Sequence, residues 1–423
     1  MNADQRMLME LLSQGIKNKG DYNLFPDITD WEGIFYEAKK HDVHTILYPV
    51  YKQCFGNKGE NTFSKEWARA VIVEGAAQIQ IAAAFAELIN AFNGEGVETI
   101  ALKGIVIKEL YPSPELRTMA DIDLLIHKQD FTEAAALLME KGYINEGTNE
   151  KHTTFRLNEN VAVELHTALF NEKHSSSLSD FEAAVWCNTM AYEVHGQALL
   201  VLNLECQLTY LCVHLAEHFK TGGFGLRQLC DIVVFVDRYY DEIDWKLFAE
   251  RIGNLGISRF THAMFLICNK YFDMKLPFDI KDSDIADSDI ADFHNAGYDF
   301  SSQKLIDAFL EDILRGGIYG KSTDERQQSA NVLKFMRNSG NLKKKTSFMY
   351  FLNLLFPSAD SLCSRYGYCR KFRILLPAAW VHRLVFGLVR KDFPLKQKAA
   401  FLLHPPLLSE LDVRISLIQR LGL

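Results

Sequence analysis

The sequence predicts an α+β fold in which a small mixed sheet lies between N-terminal helices and a C-terminal all-helical region. Apolar residues have helical spacing up to about residue 95, alternate between short strands and short helices over residues 97–166, and return to helical spacing after Asn203. A chain of 423 residues, 48% hydrophobic and 24% charged, is long enough for two or three domains with cores of their own. This composition excludes disordered and fibrous proteins.

Residues 1–92 are predicted to form an N-terminal helical segment. Two short amphipathic stretches flank Asp27–Trp31, and an alanine-rich stretch from Ser64 through Phe92 has apolar residues three and four positions apart. The sequence Asn-Gly-Glu-Gly at 93–96 then predicts the end of this long helix.

Residues 93–202 are predicted to form an α/β core. The predicted strands are Val97–Leu102, Ile122–Ile126, Thr153–Leu157 and Val161–His166, and the predicted helices are Ile105–Leu110 and Phe131–Lys141. Helices interleaved with the strands of a small mixed sheet are typical of an α/β unit of roughly 100 residues.

Residues 203–330 are predicted to form a helical domain. Its candidate helices, separated by Gly, Asp or Pro, are Cys206–Phe219, Gly225–Tyr240, Asp244–Ile252 and Ser258–Phe272. The segment DSDIADSDIAD, from Asp282 to Asp292, is a short acidic duplication. It contains several DxD triplets but no aliphatic strand or glycine turn around them, which favours a solvated acidic segment.

Residues 331–423 are predicted to form a basic helical C-terminal region. They contain 16 Lys+Arg and 4 Asp+Glu, a net charge of +12, whereas the first 330 residues contain 30 and 50, a net charge of −20. A basic segment on an acidic body either packs against that body or offers a surface to an anionic partner such as nucleic acid, and both interpretations stay open. The apolar stretch FRILLPAAWVHRLVFGLVRK is interrupted by Pro377, His382 and Arg383, which favours packing in the interior over contact with a membrane.

The start of the sequence, MNADQRMLMELLSQ, lacks the basic residues and apolar stretch of a secretory signal, and no uninterrupted apolar run reaches about 18 residues. We therefore expect a cytoplasmic protein without a transmembrane segment. The eight cysteines are scattered and form no CxxC pair, which predicts buried free thiols rather than a zinc or redox site.

The residues that predict chemistry begin with a pair of aspartates in RTMADIDLLI. Asp121 and Asp123 are two positions apart at a predicted strand, so both carboxylates project from one face while Ile122 and Leu124 point into the core. Two adjacent carboxylates repel each other unless a cation lies between them, so the pair predicts a site for a hard metal ion such as Mg²⁺. A DxD triplet by itself also occurs on the exposed face of an ordinary edge strand.

Three neighbouring features favour the metal site. Lys103-Gly104 directly follows a predicted strand and opens a helix, a position suited to binding a phosphate group. Arg117 lies four residues before Asp121, after a proline-containing turn that returns the chain to the same end of the sheet. Glu164, in the later strand VAVELH, supplies a third carboxylate. Three acids, a phosphate-binding turn and an arginine are the groups that two-metal phosphoryl or nucleotidyl transfer requires.

Three histidines have weaker signals. His166, two residues beyond Glu164 on the same strand face, either orients a metal ligand or is a half-buried strand residue. His214 and His218 are four residues apart on a predicted helix, a spacing that can bind zinc. Because no third ligand is evident, we expect these two to face the sheet, hydrogen-bonded or close to a nucleotide.

Arg227 and Asp231 are also four residues apart on a predicted helix. The simpler interpretation is an ion pair on the helix surface. The alternative is that Arg227 faces inward and binds phosphate.

The spacing of these motifs resembles a known family. LKG, R-x3-D-I-D-L-L and V-E-L-H, followed by helices containing H-x3-H and L-R-x3-D, are similar to the uncharacterised bacterial nucleotidyltransferases of the polymerase-beta-like superfamily. The resemblance covers about residues 80–270, and Leu-Phe-Pro-Ser at 355–358 extends it toward the C-terminus.

The resemblance implies a core sheet that binds an NTP such as ATP and two Mg²⁺ ions, with Mn²⁺ as an alternative. Asp121 and Asp123 would hold both metals, and Glu164 would be the third acid and candidate general base. The predicted phosphate- or nucleotide-binding residues are Lys103, Gly104, Arg117, His166, His214 and Arg227. The chain departs from the superfamily at Lys103-Gly104-Ile105, where Gly-Gly or Gly-Ser is usual.

The expected activity is Mg²⁺-dependent transfer of an NMP group from the NTP to an acceptor hydroxyl on a small molecule, protein or RNA. The alternative is a nucleotide-binding protein with little or no activity, which recognises an anionic partner through residues 331–423.

Overall fold

The structure is a computed structural model. It describes residues 1–17, 30–55, 62–148, 152–170, 176–194, 196–277, 302–320, 373–389 and 405–423, together with the single positions 326, 330, 333, 362 and 368. The acidic duplication at 282–292 and the Leu-Phe-Pro-Ser sequence at 355–358 lie outside the described residues.

The chain begins with helices α1 (Ala3–Lys17), α2 (Trp31–Lys40), α3 (His44–Phe55) and α4 (Thr62–Glu95). Asp30 caps α2, because its carboxylate accepts a hydrogen bond from the backbone N–H of Gly33 at 2.7 Å. Aromatic side chains join the start of α4 to the other helices, and the rings of Tyr51 and Trp67 stack with their centroids 4.4 Å apart.

A mixed sheet follows. Its strands are β1 (Thr99–Ala101), β2 (Ile122–Ile126), β3 (Ile144–Thr148), β4 (His152–Arg156), β5 (Ala162–His166), β6 (Thr189–Val194) and β7 (Gln197–Leu202). The seven strands have the order β3-β4-β5-β2-β1-β7-β6. The pairs β2–β5 and β1–β7 are parallel, and the other neighbours are antiparallel. Helices α5 (Gly104–Ile107), α6 (Phe131–Glu140) and α7 (Ser176–Ala183) lie between strands.

The four predicted strands correspond to β1, β2, β4 and β5, and β2 has the predicted bounds. The mixed α+β class is therefore confirmed. Strands β3, β6 and β7 were not predicted. All five residues of β3 are exposed, so it lacks the alternation of a half-buried strand, and β6 is an edge strand with a single buried residue, Val194.

The two faces of the sheet have different partners. Ile122, Leu124 and Ile126 of β2 point to one face, where they pack with the second half of α4 and with α6. Leu125 and Ile100 point to the other face and pack with the helices that follow the sheet. Asp123 lies on this second face, because side chains alternate along a strand.

The helices after the sheet are α8 (Leu204–Thr221), α9 (Leu226–Tyr239), α10 (Trp245–Asn254), α11 (Ser258–Phe272) and α12 (Ser302–Gly316). Two more described helices, α13 (Leu376–Val389) and α14 (Pro405–Arg420), lie in the C-terminal region. The four helices predicted between residues 206 and 272 match α8 to α11 within two residues at each end.

One hydrophobic cluster joins the N-terminal helices to the helices after the sheet. Leu12 of α1, Ile267 of α11 and Leu417 of α14 all belong to it, and α1 packs directly on α11. Asp312 of α12 is buried and forms an ion pair with Arg414 of α14 at 3.3 Å. The predicted segments 1–92 and 203–330 thus share a core, which holds α8 and α9 against the sheet.

Two helices have exposed apolar side chains. Helix α4 is long and apolar enough to cross a membrane, which is weak evidence of a span, since Phe85 and Leu88 of the same helix are packed in the core. In and just before α13, the side chains of Ile374, Val381 and Val385 are exposed, so the expected interior packing is not seen for these residues.

Candidate active site

The register of the sheet brings the three predicted acids together. Asp121 lies directly before β2, and Asp123 of β2 is paired with Glu164 of the parallel strand β5. Val163 and Leu165, the neighbours of Glu164, point to the opposite face and are packed in the core. The three acids therefore lie on the face that the helices after the sheet cover, and all three line one cavity.

Asp123 and Glu164 are connected by histidine contacts. The Nε2 of His166 lies 2.9 Å from Oδ1 of Asp123 and 3.6 Å from Oε2 of Glu164. His152, which is paired with His166 across the β4–β5 hairpin, has its Nε2 3.2 Å from Oε1 of Glu164. His166 is 3% exposed, so it is a fully buried residue in contact with two of the acids.

The carboxylates have different pKa values because their neighbours differ. Burial, together with the negative charges of Asp123 and Glu164, raises the pKa of Asp121 to about 6. Burial also acts to raise the pKa of Asp123, but Lys103 and His166 outweigh it and hold that pKa below its ordinary range. Burial also acts to raise the pKa of Glu164. Hydrogen bonds with His152 and His166 outweigh that effect, so the pKa of Glu164 falls to about 2.

Lys103 connects the turn after β1 to these acids. Its ammonium lies 3.1 Å from Oδ1 of Asp123 and 5.8 Å from the ring centroid of Tyr210 on α8. Although burial acts to lower the pKa of Lys103, the charge of Asp123 raises it above its ordinary range. The backbone of Lys103 has a φ of 49°, a positive value that is unusual for a residue with a side chain.

Gly104 follows at the start of α5, where a side chain would meet Arg117. A Cβ added to Gly104 would lie 2.9 Å from one terminal nitrogen of the Arg117 guanidinium. That guanidinium is fixed, because it donates to both carboxylate oxygens of Asp231 on α9, at 3.1 Å from Nε and 2.5 Å from Nη2. Tyr111 also donates to Asp231, at 2.8 Å.

Arg117 and Arg227 both line the cavity, and each forms an ion pair with an aspartate of the protein. Arg227 forms an ion pair with Asp42, which lies between α2 and α3, and donates to the carbonyl of Thr118 at 3.0 Å. The predicted surface ion pair between Arg227 and Asp231 is wrong, because both residues are buried and each binds another partner. A direct role for either arginine in binding phosphate stays a prediction.

Helix α8 forms the wall of the cavity opposite the acids. Tyr210, His214 and His218 are spaced four residues apart, so they lie on one face of the helix and all line the cavity. The Nε2 atoms of His214 and His218 lie 3.0 Å apart, a hydrogen bond in which one Nε2 carries the proton and donates it to the lone pair of the other. The cavity has a volume of about 350 Å³.

Several residues of the site were not predicted. His152 lies one residue before a predicted strand, and only its pairing with His166 in the structure shows that it belongs to the site. Tyr210 could have been found from the four-residue spacing that it shares with His214 and His218. Asp42 has no signal in the sequence, since it contacts the site only through Arg227.

The acids fit the metal that the resemblance implies. Asp121, Asp123 and Glu164 offer oxygen ligands, which Mg²⁺ prefers. Burial is the main cause that raises the pKa of Asp121, the negative charges of Asp123 and Glu164 add to it, and the positive charges of Lys103 and Arg227 oppose it. A divalent cation bound there would offset the negative charge of the three acids.

Comparisons with known proteins identify the family. No curated protein sequence matches this chain. Among solved structures, the antibiotic-resistance factor ANT(2'')-Ia is 9% identical, with a TM-score of 0.31 over 45% of this chain and 96% of its own. An antigenic nucleotidyltransferase-like protein from Paracoccidioides brasiliensis is 12% identical, with a TM-score of 0.31 over 47% of this chain and 94% of its own.

Both of these likenesses are too distant to indicate a substrate. The family model described as an uncharacterised nucleotidyltransferase matches residues 27–273, which is more than half of the chain and includes every residue placed at the acids. The match confirms the family predicted from the motifs. The chain belongs to the uncharacterised nucleotidyltransferase family.

Proposed function

We propose that this protein is a Mg²⁺-dependent enzyme that transfers an NMP group from an NTP to an acceptor hydroxyl. The observation that carries the proposal is the position of Asp121, Asp123 and Glu164 on one face of the sheet, at a cavity that basic residues also line. Divalent ions bound by such acids polarise the reacting phosphate and lower the pKa of an attacking hydroxyl.

The sheet fixes the ligand atoms before any substrate binds. Asp123 is held from two sides, by Lys103 at 3.1 Å and by His166 at 2.9 Å. Because its pKa is about 2, Glu164 is ionised at neutral pH, as a metal ligand must be. A carboxylate with so low a pKa is a weak proton acceptor, so metal binding is the role that we assign to Glu164 first.

Two basic residues of the cavity support the proposed binding of phosphates. The ammonium of Lys103 is beside Asp123, so it can neutralise charge that develops on a phosphate held at the acids. Arg227 lines the same cavity, and its Nε is buried without a hydrogen-bond partner among the described residues. An arginine with an unused buried donor can bind an additional anion without giving up Asp42.

The proposal is tested by replacing one metal ligand. We expect Asp121→Asn to abolish Mg²⁺-dependent consumption of NTP, because the amide has lost the negative charge that a hard cation requires. Each NTP, labelled on the α-phosphate, is incubated with the protein, Mg²⁺ and a cell extract that provides acceptors, and label transfer and pyrophosphate release are measured. Asp241→Asn, an exposed change in the turn after α9, is the control and should leave activity unchanged.

Two results would contradict the proposal. Full activity of Asp121→Asn would remove that residue from the mechanism. Calorimetry provides the second test, since tight binding of NTP that needs no Mg²⁺ and leads to no turnover would instead indicate a nucleotide-binding protein.

A further inference from the structure

Two histidines and two acids form a cluster on the same face of the sheet. His152 of β4 is the register partner of His166 of β5, and Glu164 is two residues before His166. Asp123 of β2 is the register partner of Glu164 from the other side. Strands β4 and β5 therefore direct three potential metal ligands, His152, Glu164 and His166, toward one point, and Asp123 of β2 contacts His166 beside them.

The distances between these ligand atoms suit a single tetrahedral ion. They are 3.2 Å from His152 Nε2 to Glu164 Oε1 and 3.6 Å from His166 Nε2 to Glu164 Oε2. Zinc bonds to imidazole and carboxylate are about 2.0–2.2 Å long, which places the ligands of a tetrahedral ion roughly 3.3–3.6 Å apart. The potential ligand atoms of His152, Glu164 and His166 all lie within 4.8 Å of one another, so no pair would have to close by more than about 1.5 Å to bind one ion.

The ligand types differ from those of the magnesium site. Imidazole nitrogen suits zinc, cobalt and other transition metals, whereas Mg²⁺ prefers oxygen and water. Asp121 is not part of the histidine cluster. His152 lines the cavity and its side chain is 16% exposed, so an ion can reach the cluster from the cavity.

A second cluster, Asp42, His44 and Glu74, offers three ligand atoms at similar separation. Its Asp42 is already bound by the guanidinium of Arg227. Since Arg227 would have to be displaced before a cation could bind, this second cluster is the weaker candidate and provides a control.

We propose that His152, Glu164 and His166 form a binding site for a transition-metal cation of the Zn²⁺ and Co²⁺ class. The site is selective over Mg²⁺ because two of its three protein ligands are imidazoles. It shares Glu164 with the acids assigned to Mg²⁺, so the two kinds of cation compete. Binding does not depend on nucleotidyl transfer, so the inference goes beyond the proposed function.

The test is a titration of the full chain with Co²⁺, followed by its visible absorption spectrum. We expect the intense bands of tetrahedral Co²⁺, displacement of Co²⁺ by Zn²⁺, and no displacement by an equal concentration of Mg²⁺. His152→Ala should raise the Kd for Co²⁺ at least about tenfold, since loss of a ligand costs no less than loss of a group that orients one. Glu74→Gln, in the second cluster, should leave the Kd unchanged, and Asp121→Asn should change it less than His152→Ala does.

A second variant shows directly whether residue 152 contacts the ion. His152→Cys should restore binding and add a sulfur-to-cobalt charge-transfer band, because thiolate is also a ligand for zinc and cobalt. Thermal melts of each variant without metal exclude unfolding as the cause of lost binding.

The proposal is overturned if the wild-type protein shows no tetrahedral Co²⁺ spectrum, if His152→Ala binds Co²⁺ as tightly as the wild type, or if Glu74→Gln removes the spectrum. Failure of the proposed function is distinguishable from these results. In that case Co²⁺ would still bind through His152, while no NTP would be consumed with Mg²⁺.

Discussion

Arg117 and Asp231 form a buried bidentate ion pair across 114 residues of sequence. Arg117 belongs to the turn that leads into β2, and Asp231 belongs to α9. Their side chains are 6% and 8% exposed, so the pair is shielded from water. This contact fixes the helices after the sheet to the segment that carries the acids.

Removing the carboxylate of this pair should destabilise the protein strongly. Asp231→Ala leaves the guanidinium of Arg117 buried without its counter-ion, and loss of one partner of a buried pair costs about 3–5 kcal/mol. The free energy of unfolding is measured by urea denaturation.

A second aspartate on the same helix is the matched control. Asp237 forms an ion pair with Lys17 at 3.1 Å and its side chain is 25% exposed, so Asp237→Ala should cost only about 0–1 kcal/mol. Equal losses of unfolding free energy in the two variants would show that the buried pair of Arg117 and Asp231 stabilises the protein no more than the pair of Lys17 and Asp237 does.

Gly104→Ala should also destabilise the protein. The new methyl group would lie 2.9 Å from the Arg117 guanidinium, which cannot retreat without breaking its bonds with Asp231, and overpacking of this kind costs about 1–3 kcal/mol. Gly75→Ala provides the contrast, because the methyl group added there, inside α4, would have nothing within 4 Å, and alanine favours helix by about 0.5–1 kcal/mol. Thermal melts should shift in opposite directions, and a shift of the same sign for both would contradict the packing argument.

Stability should fall as the pH is lowered because of His41. Burial of the imidazole, together with the nearby charge of Lys40, lowers the pKa of His41 to about 3. Between that value and about 6.5, the pKa of an ordinary histidine, the unfolded chain binds a proton that the folded chain does not bind. Unfolding therefore takes up a proton in this range, and each unit of pH below about 6.5 removes about 1.4 kcal/mol from the free energy of unfolding.

His41→Asn tests this assignment. The Nδ1 of His41 accepts a hydrogen bond from the backbone N–H of Leu226 at 3.3 Å, and the amide oxygen of asparagine can accept the same bond. The variant should have a shallower dependence of unfolding free energy on pH between about 4 and 6, measured by urea denaturation at each pH. An unchanged slope would exclude His41 as its source.

Lys103→Met should reduce the proposed activity. It removes the ammonium beside Asp123 while it keeps the length of the side chain, and loss of one hydrogen-bond donor that stabilises transition-state charge typically costs about 10²–10³ in kcat. Lys128→Met, an exposed change in the turn after β2, is the control for general loss of positive charge. Label transfer from NTP is measured for both, and equal activity in the two variants would remove Lys103 from the mechanism.

The sequence predicted the strand that carries the acids because the pattern there is local. Ile122, Leu124 and Ile126 are buried together on one face of β2, and their alternation assigns Asp123 to the other face. The same reasoning applied to Glu164, whose neighbours Val163 and Leu165 are buried as expected. Strand β3 could not be found in this way, since none of its residues is buried.

The partners of the basic residues could not be predicted. Helical spacing identifies neighbours three or four residues away, which is why Arg227 and Asp231 were expected to pair. In the structure Arg227 binds Asp42, 185 residues earlier, and Asp231 binds Arg117. Such pairs depend on which helices pack together, and spacing along one helix contains no information about that.

The sequence by itself determined that Asp121 and Asp123 project from one face of their strand and that Glu164 projects from its strand opposite Val163 and Leu165, because the alternation of side chains along a strand is a property of the local backbone. The pairing of β2 with β5, which brings Glu164 beside Asp123, is a tertiary contact. Only the tertiary structure decided what surrounds them. The pairing of β4 with β5 placed His152 beside Glu164, and the packing of α8 on the sheet placed Tyr210 beside Lys103. These contacts join distant parts of the chain, so they depend on the burial of one shared core rather than on any local pattern.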